Sequence, residues 1–465
     1  MSAANPVPSS PPVVAKPFSQ MPGPRGVSGL RLLRLARENP LEFLAECQRR
    51  HGPMVSFEIP RTRIALVNRP DAVQRVLQGN HPAYGKRTPQ YRSLALLTGE
   101  GIVVSEGEPW KAMRRLLAPS FHRRMLDDVV GFVDAAADRL IARWSVLPPG
   151  RVVDVDAEMM RTTLEVIGRT LFGADLADVA EQTVGAVSEA LDDVVRRAQA
   201  LPVPLWLPTP ANRRFTHNLS HIDDAVAAMI TARRAHPDGE GVLGPLLAAQ
   251  DAGLVTAQQV RDEAVTLVVA GHETVAAAAT WTVAYLAAAP EEQAAIVAEG
   301  QALPESPAVE DLPTLLPHTR AAVDEALRLW PPVWLMTRRA LADDVLGGYR
   351  IPRGTMVILA LPLLHRDPDV FVEPEAFRPD RFREPARSAI PRDAYLPFGA
   401  GPRLCIGRDL SLVEVPLLVA RLLSRFDVRP VGPLAARSGA TIRPLGGLPA
   451  RLVPRSATPW PTTGP

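Results

Sequence analysis

One of the only two cysteines in this 465-residue chain lies in a glycine-rich segment that could bind a metal. Cys405 stands in the stretch FGAGPRLCIG, residues 398–407, and a helix-period segment follows. Backbone N–H groups of a glycine-rich loop, together with the positive end of the next helix, favour the thiolate that binds metals. Arg403 is expected on the same side of an extended segment as Cys405.

The number of available ligands limits what Cys405 could hold. Neither Cys47 nor a nearby histidine completes the four ligands of a structural zinc ion. A single thiolate instead suits a cofactor that brings its own remaining ligands, as a porphyrin does. The alternative is a buried structural cysteine, which is the common fate of a free thiol.

A second group of polar residues, AGHET at 270–274, interrupts a long apolar segment. Gly271 removes side-chain bulk, so a large group could approach the helix there. The carboxylate of Glu273 and the hydroxyl of Thr274 could relay protons to a reduced oxygen species. The alternative is a small-residue contact with a threonine that bonds to its own helix. Ala276 occupies the place of the second histidine of a zinc-protease helix, which excludes that reading.

Both stretches resemble the cytochrome P450 family. FGAGPRLCIG matches the five fixed positions of that family's haem-binding signature, at Phe398, Gly401, Arg403, Cys405 and Gly407. AGHET is similar to the family's oxygen-activating stretch. The resemblance implies a haem b group (iron protoporphyrin IX) with the sulfur of Cys405 as its axial ligand. It also implies that Ala270 and Gly271 lie beside the haem and that Glu273 and Thr274 are catalytic.

Further stretches follow in the order that this family shows. EALR, residues 325–328, and FRPDRF, residues 377–382, are similar to two elements whose charges fix the fold. The resemblance implies a buried cluster of Glu325, Arg328 and Arg381. Asp380 replaces a commoner glutamate.

The stretch EPWKAMRRLLAPSF, residues 108–121, resembles the family's helix at the haem edge. Trp110 and Arg114 are four residues apart and share a helix face, so both could address a haem propionate. Arg338 is expected to make another propionate contact, although its neighbour Arg339 is an alternative.

The resemblance implies a monooxygenase that uses O₂ and a separate electron donor, because no flavin or iron–sulfur portion follows the haem segment. We expect a ferredoxin and its reductase. A basic face could steer an acidic ferredoxin, and a solvated face without a partner is the alternative. Its residues are Lys111, Arg114, Arg115, Arg123, Arg124 and Arg408.

The substrate prediction depends on four apolar segments that are expected to line the distal pocket, namely 88–104, 266–274, 331–337 and 443–452. Their few charges favour a hydrophobic small molecule of secondary metabolism, such as a terpenoid, a polyketide-like metabolite or a fatty acid. The stretch LPVPLWLPTP, residues 201–210, could be a mobile lid or a rigid connection. Two other functions stay open: a peroxygenase or isomerase that needs no electron donor, and a non-enzymatic haem sensor or electron carrier.

A mainly helical chain must position these residues. Helix-period segments dominate, and β-like runs occur at 53–59, 63–68, 348–361 and 426–430. We therefore predict a mainly α fold with a small β portion, that is, the cytochrome P450 fold, as a single large helical domain over residues 28–455. A flexible proline-rich leader, 1–27, and a flexible tail, 456–465, are expected on either side.

The composition limits which binding partners and which cellular compartment are expected. With 46% hydrophobic residues the chain can bury a large core, and 52 basic against 50 acidic residues favour neither nucleic acid nor an anionic membrane as a partner. The sequence contains no uncharged apolar run of about 18 residues, which a membrane span needs, and no convincing signal peptide. Scarce cysteine fits a reducing interior, so a cytoplasmic protein is expected.

Overall fold

The computed structural model describes residues 15–25, 36–59, 62–148, 150–173, 180–199, 203–236 and 241–455. Helices predominate in these ranges and strands are short, which confirms the predicted mainly α fold with a small β portion. The helices are α1 Pro40–His51, α2 Pro70–Gln74, α3 Pro89–Thr98, α4 Gly107–Leu117, α5 Arg123–Ser145, α6 Val155–Ile167, α7 Ala180–Ala198, α8 Pro210–Ala235, α9 Leu243–Asp251, α10 Ala257–Leu286, α11 Pro290–Ala302, α12 Leu312–Leu315, α13 Pro317–Leu329, α14 Leu361–Leu364, α15 Ala386–Ala389 and α16 Arg408–Arg425.

The strands are β1 Met54–Ile59, β2 Thr62–Val67, β3 Tyr84–Gly85, β4 Val152–Asp154, β5 Leu335–Ala340, β6 Asp344–Leu346, β7 Tyr349–Ile351, β8 Met356–Ala360, β9 Phe426–Pro430, β10 Ala436–Ser438, β11 Ile442–Pro444 and β12 Pro449–Pro454. The largest sheet has the order β1-β2-β8-β5-β3, in which only β2 and β8 run parallel. It lies beside the helical part and packs on a second, smaller apolar cluster.

The centre of the fold is the 30-residue helix α10. It begins at a capping box in which Thr256 and Gln259 satisfy each other's backbone N–H groups. Most of its residues are buried, and they lie on every face of the helix, as expected for a helix that passes through the core rather than along its surface. Helices α6, α13 and α16 pack against it, so a polar residue on α10 must face either another helix or an internal cavity.

A small hairpin completes the surroundings of α10. Strands β10 and β11 pair antiparallel, and residues 439–441 form the turn between them. The indole N–H of Trp281, on α10, donates to the carbonyl of Ile442 at 3.0 Å, and that of Trp334 donates to Gly439 at 2.9 Å. Two buried indoles therefore fix this hairpin at both sides of its turn.

Part of the predicted leader packs on the fold. Phe18 and Met21 are buried in the smaller apolar cluster, and the N–H of Lys16 donates to Gly348 at 2.9 Å. Residues 15–25 are therefore attached to the domain rather than separate from it. The remainder of the leader and the tail from 456 lie outside the described residues, and their flexibility stays a prediction.

The charge cluster implied by the resemblance is present: Glu325 and Arg328 are fully buried, and Arg381 is half-buried. Arg328 uses all five of its N–H groups: two donate to Glu325, and the others donate to the carbonyls of His365, Pro374 and Ala376. Arg381 adds a contact to Glu325 at 3.3 Å. Asp380 lies outside the cluster and pairs with Arg378.

Candidate active site

The loop around Cys405 turns tightly before α16. The N–H of Cys405 donates to the carbonyl of Phe398 at 3.0 Å, and Gly401 has a φ of +67°. A Cβ atom on Gly401 would lie 2.3 Å from the carbonyl oxygen of Leu77. Only glycine meets both conditions, because it tolerates positive φ and brings no side chain. The neighbouring segment thus fixes the shape of the loop.

Cys405 is an exposed residue. Burial raises the pKa of the thiol, while the N–H of Gly407 and the charges of Arg114 and Arg408 act to lower it. Helix α16 begins at Arg408, so its positive end adjoins the sulfur as the sequence predicts.

The expectation that Arg403 would flank the sulfur on an extended segment is wrong, because Gly401–Arg403 is a turn of 3₁₀-helix. Arg403 instead donates to the carbonyl of Ser105 at 2.8 Å, and its guanidinium carbon lies 3.8 Å above the ring of Trp110. This stacking joins two of the predicted cofactor-binding residues directly.

Arg403 belongs to a cluster of cations whose other members, Lys86 and Arg338, are buried. Arg338 donates to the hydroxyl of Tyr91 at 3.1 Å, and Lys86 lies with its Nζ 4.9 Å from the centre of the same ring. Burial, followed by the charges of Arg338 and Arg403, lowers the pKa of Lys86 well below its usual value. Burial also lowers the pKa of Arg403 to about 10, and the charge of Arg338 adds to this. Glu106 is the acidic group that acts against this repulsion.

The two candidate arginines on β5 face different surroundings. Arg338 is buried in the cation cluster, whereas Arg339 donates to the carbonyls of Arg87 and Gly354 at the edge of the fold. Their places follow from the alternation of side chains along a strand. Lys86 was not predicted from the sequence, because an isolated lysine in a loop has no spacing that distinguishes it.

These residues fit a haem group. The cluster of Lys86, Arg338 and Arg403, with Arg114 close enough to act electrostatically on Arg403, holds more positive charge than Glu106 can balance. The two carboxylates of a haem would supply the missing counter-ions. A Cβ atom on Gly407 would meet no atom within 4 Å, so the loop has an open side next to Cys405. Within the described ranges, no three His, Cys, Asp or Glu side chains form a group that could hold a metal ion.

On α10, the AGHET residues separate into two faces. Ala270 and Thr274 line a cavity, and the hydroxyl of Thr274 donates to the carbonyl of Ala270 at 2.7 Å. A Cβ atom on Gly271 would lie 2.6 Å from side-chain carbons of Ile167 on α6. The absence of a side chain at Gly271 therefore makes room for Ile167. That Gly271 also lies beside the cofactor stays a prediction.

Glu273 is buried at the edge of the same cavity. The hydroxyl of Thr441 donates to its Oε1 at 3.2 Å, and Nη1 of Arg443 lies 3.8 Å from that oxygen. Burial raises the pKa of Glu273 to about 7, and Arg443 opposes the rise. The adjacent His272 is fully buried and donates from Nδ1 to the carbonyl of Val268 at 2.7 Å. Burial lowers its pKa to about 4, so it is a neutral neighbour of the acid.

The cavity has a volume of about 410 Å³ and mostly apolar walls. Three of the four predicted segments line it. The fourth, 443–452, does not, and residues 439–441 take its place because the hairpin turn comes before β11. Other walls of the cavity, formed by α7 and by Phe43, Phe57 and Ile358, were not predicted from the sequence. Residues 203–210 of the predicted lid do not line the cavity, and residues 201–202 lie outside the described residues.

A larger surface depression, of about 610 Å³, lies against the cysteine loop, which contributes Phe398, Gly399 and Leu404 to its wall. Arg320, Arg387, Arg392 and Arg408 line it together with Asp324 and Asp409. Of the predicted basic face, Lys111 and Arg408 pair with the adjacent acids Glu108 and Asp409. The side chains of Arg123 and Arg124 lie outside the described residues.

Among the described residues, no helix is both long and apolar enough to cross a membrane.

Comparison with known proteins gives consistent matches along the chain. The family model described as Cytochrome P450 matches residues 21–435. Cyclooctatin synthase of Streptomyces melanosporofaciens is 34% identical over 450 residues, which cover 93% of this chain and 94% of that protein. Cyclooctat-9-en-7-ol 5-monooxygenase of the same organism is 34% identical, covering 91% and 92%. Pentalenene oxygenase of Streptomyces avermitilis is 32% identical, covering 84% and 89%.

Proposed function

The chain belongs to the cytochrome P450 family and is a haem-thiolate monooxygenase, and from this we propose that it oxidises a terpenoid-type hydrocarbon with electrons from a ferredoxin. In the overall reaction, one atom of O₂ enters the substrate and the other leaves as water, at the expense of two electrons and two protons. The observation that carries the proposal is that one apolar cavity contains both Glu273 and Thr274.

The residues around the cofactor have distinct tasks in this proposal. The sulfur of Cys405 would hold the iron of haem b, and Arg338, Arg403 and Lys86 would pair with its carboxylates. Trp110 orients Arg403 by stacking, and Arg114 favours the thiolate form of Cys405. When bound, the haem supplies the activation of O₂. Every proton that this chemistry consumes must come through the protein or its water.

Glu273 and Thr274 are the groups suited to that proton supply. A carboxyl with a pKa of about 7 is partly protonated at neutral pH, so it can both give and regain a proton. The hydroxyl of Thr274 lies one residue along α10 and lines the same cavity. Walls of valine, leucine, isoleucine and phenylalanine keep other water away from the substrate.

The substrate class follows from the cavity and from the names of the relatives. A volume of about 410 Å³ is within the range of pockets for small organic molecules. Few charged groups line it, so a hydrocarbon with at most a hydroxyl group fits better than an ionic compound. Two of the relatives are named for oxidation of cyclooctat-9-en-7-ol and of pentalenene. We therefore place the terpenoid ahead of the polyketide-like and fatty-acid alternatives.

The ferredoxin assignment is supported by the depression beside the cysteine loop. Four arginines line it, and it adjoins the residues that hold Cys405, so an acidic carrier bound there would be close to the thiolate. Reduction by a ferredoxin should slow as salt is added, and a rate independent of ionic strength would contradict electrostatic steering. The cytoplasmic location stays a prediction.

A spectroscopic experiment tests the proposed function. The reduced protein under carbon monoxide should give the absorbance of a thiolate-ligated haem, and Cys405→Ser should lose it. With ferredoxin, reductase and NADPH, the protein should hydroxylate polycyclic terpenes. Product formed with hydrogen peroxide alone, and none with the electron donors, would favour a peroxygenase instead. A wild-type protein without the thiolate signal would refute the assignment of Cys405.

A further inference from the structure

The turn of the β10–β11 hairpin touches both the substrate cavity and the acid on α10. Gly439, Ala440 and Thr441 line the cavity, and Thr441 also donates to Glu273 at 3.2 Å. The indoles of Trp281 and Trp334 hold the backbone on either side of the turn. A displacement of the turn by a substrate would therefore be transmitted to the carboxyl of Glu273.

Arg443, on β11, is shared between two carboxylates. Its Nη2 donates to Oδ2 of Asp156 at 2.6 Å, whereas its Nη1 lies 3.8 Å from Oε1 of Glu273. Asp156 also accepts from Thr280 and is itself buried. Because Asp156 has the shorter contact, Glu273 receives only part of the attraction that Arg443 can give.

Several charges act on Glu273, from each element that packs around it. Burial is the largest influence and raises its pKa; Arg443 and the Thr441 hydroxyl lower it, while Asp192 on α7 and Asp156 on α6 raise it. Asp192 is paired with Arg437 on β10 at 3.0 Å. The neutral His272 adds no charge. The contacts from Thr441 and Arg443 both favour the ionised carboxylate, and neither favours the neutral acid.

We propose that the β10–β11 hairpin is a positioning element for Glu273: Thr441 and Arg443 hold its ionised carboxylate, and protonation releases the carboxyl toward the cavity. The neutral acid loses the attraction of Arg443 and is free to rotate about its side-chain bonds. After it gives its proton to oxygen in the cavity, the negative charge draws it back to the hairpin. This inference rests on the proposed function for the destination of the proton, but not for the positioning itself.

The proton balance is simple. Glu273 gains one proton from water while it lies against the hairpin, carries that proton on one carboxyl oxygen, and gives it up in the cavity. Because the overall reaction consumes two protons with each O₂, Glu273 transfers a proton in this way no more than twice per turnover. Arg443 stays protonated throughout, because an arginine does not release its proton in this range of pH.

Direct measurement of the Glu273 carboxyl tests the proposal without any turnover. The infrared absorbance of the neutral carboxyl, identified by its loss in Glu273→Gln, is titrated with pH in the substrate-free protein. Arg443→Met should raise the pKa of Glu273 by roughly one unit, and Thr441→Val should raise it by less. Asp156→Asn is the matched control, since it frees Arg443 for Glu273 and removes a negative charge, and it should lower the pKa.

The opposite directions of these pKa shifts distinguish a positioning role from a purely structural one. A purely structural role predicts similar disturbances for all three substitutions, so shifts in one direction only, or no shift in Arg443→Met, would overturn the proposal. Thr441→Val preserves side-chain shape, so it remains informative if Arg443→Met does not fold. In turnover, the pH at which product formation declines should move in the same directions, with more hydrogen peroxide released per electron pair in Thr441→Val. A wild type that forms no product would defeat the proposed function, while the infrared result would still stand.

Discussion

Glu414, on α16, carries the most sharply defined prediction. Both of its carboxyl oxygens are buried, and neither has a hydrogen-bond partner in the part of the chain that the structure describes. Burial alone raises its pKa from 4.5 to about 8. The substitution Glu414→Gln keeps the shape of the side chain and removes its ability to ionise.

The magnitude follows from linkage between protonation and folding. Below pH 4.5 the group is neutral in both the folded and the unfolded chain, so it has no effect on the pH dependence of stability. As pH rises toward 8 the unfolded chain ionises and the folded chain does not, which lowers the free energy of unfolding by about 1.4 kcal/mol per pH unit. The loss reaches roughly 3 kcal/mol at pH 7 and roughly 5 kcal/mol above pH 8.

Denaturant titrations of the wild type and Glu414→Gln between pH 5 and pH 9 provide the assay. The stability advantage of the variant should grow with pH and level off above pH 8. Glu291→Gln is the matched control, because it removes the same charge at an exposed position of α11, and its effect should not change across this range. A difference between Glu414→Gln and wild type that is constant with pH would refute the reasoning.

Three further substitutions have defined outcomes. Arg338→Met should weaken haem retention at least about tenfold, measured by haem transfer to an acceptor protein, while Arg339→Met should change it less than about twofold; equal effects would contradict the cation cluster. Arg328→Lys should lower the free energy of unfolding by roughly 3 kcal/mol, since lysine cannot replace five donors; a loss under about 1 kcal/mol in denaturant would contradict this. Gly401→Ala should lower the melting temperature through positive φ and contact with Leu77, whereas Gly79→Ala, which meets nothing within 4 Å, should not.

Local sequence patterns predicted most of the fold. The period of apolar residues correctly indicated α10 and α16, and the β-like runs correspond to β1, β2, β7, β8 and β9. The cysteine loop and the AGHET stretch could be identified because their residues are close together in sequence. Such patterns depend only on neighbours along the chain, which is why one sequence sufficed.

The remainder depends on contacts between distant segments. Lys86 becomes part of the cation cluster only because its loop meets Arg338 and Arg403, and no spacing relates these three. The close partner of Gly271 is Ile167, about a hundred residues earlier, so the sequence alone suggested a different reason for the glycine. The fourth cavity segment was placed a few residues too late because the turn of a hairpin, rather than its second strand, reaches the cavity.

The cluster of Lys86, Arg338 and Arg403 makes the cofactor an electrostatic component of the folded state as well as a reagent. The positive charges of these residues repel one another where burial weakens their hydration, and a dianionic ligand turns that repulsion into attraction. Cells that make this protein faster than they make porphyrin should therefore accumulate a less stable, more protease-sensitive form. Its abundance would then follow the supply of iron and porphyrin, a control at the level of protein turnover that needs no regulatory domain.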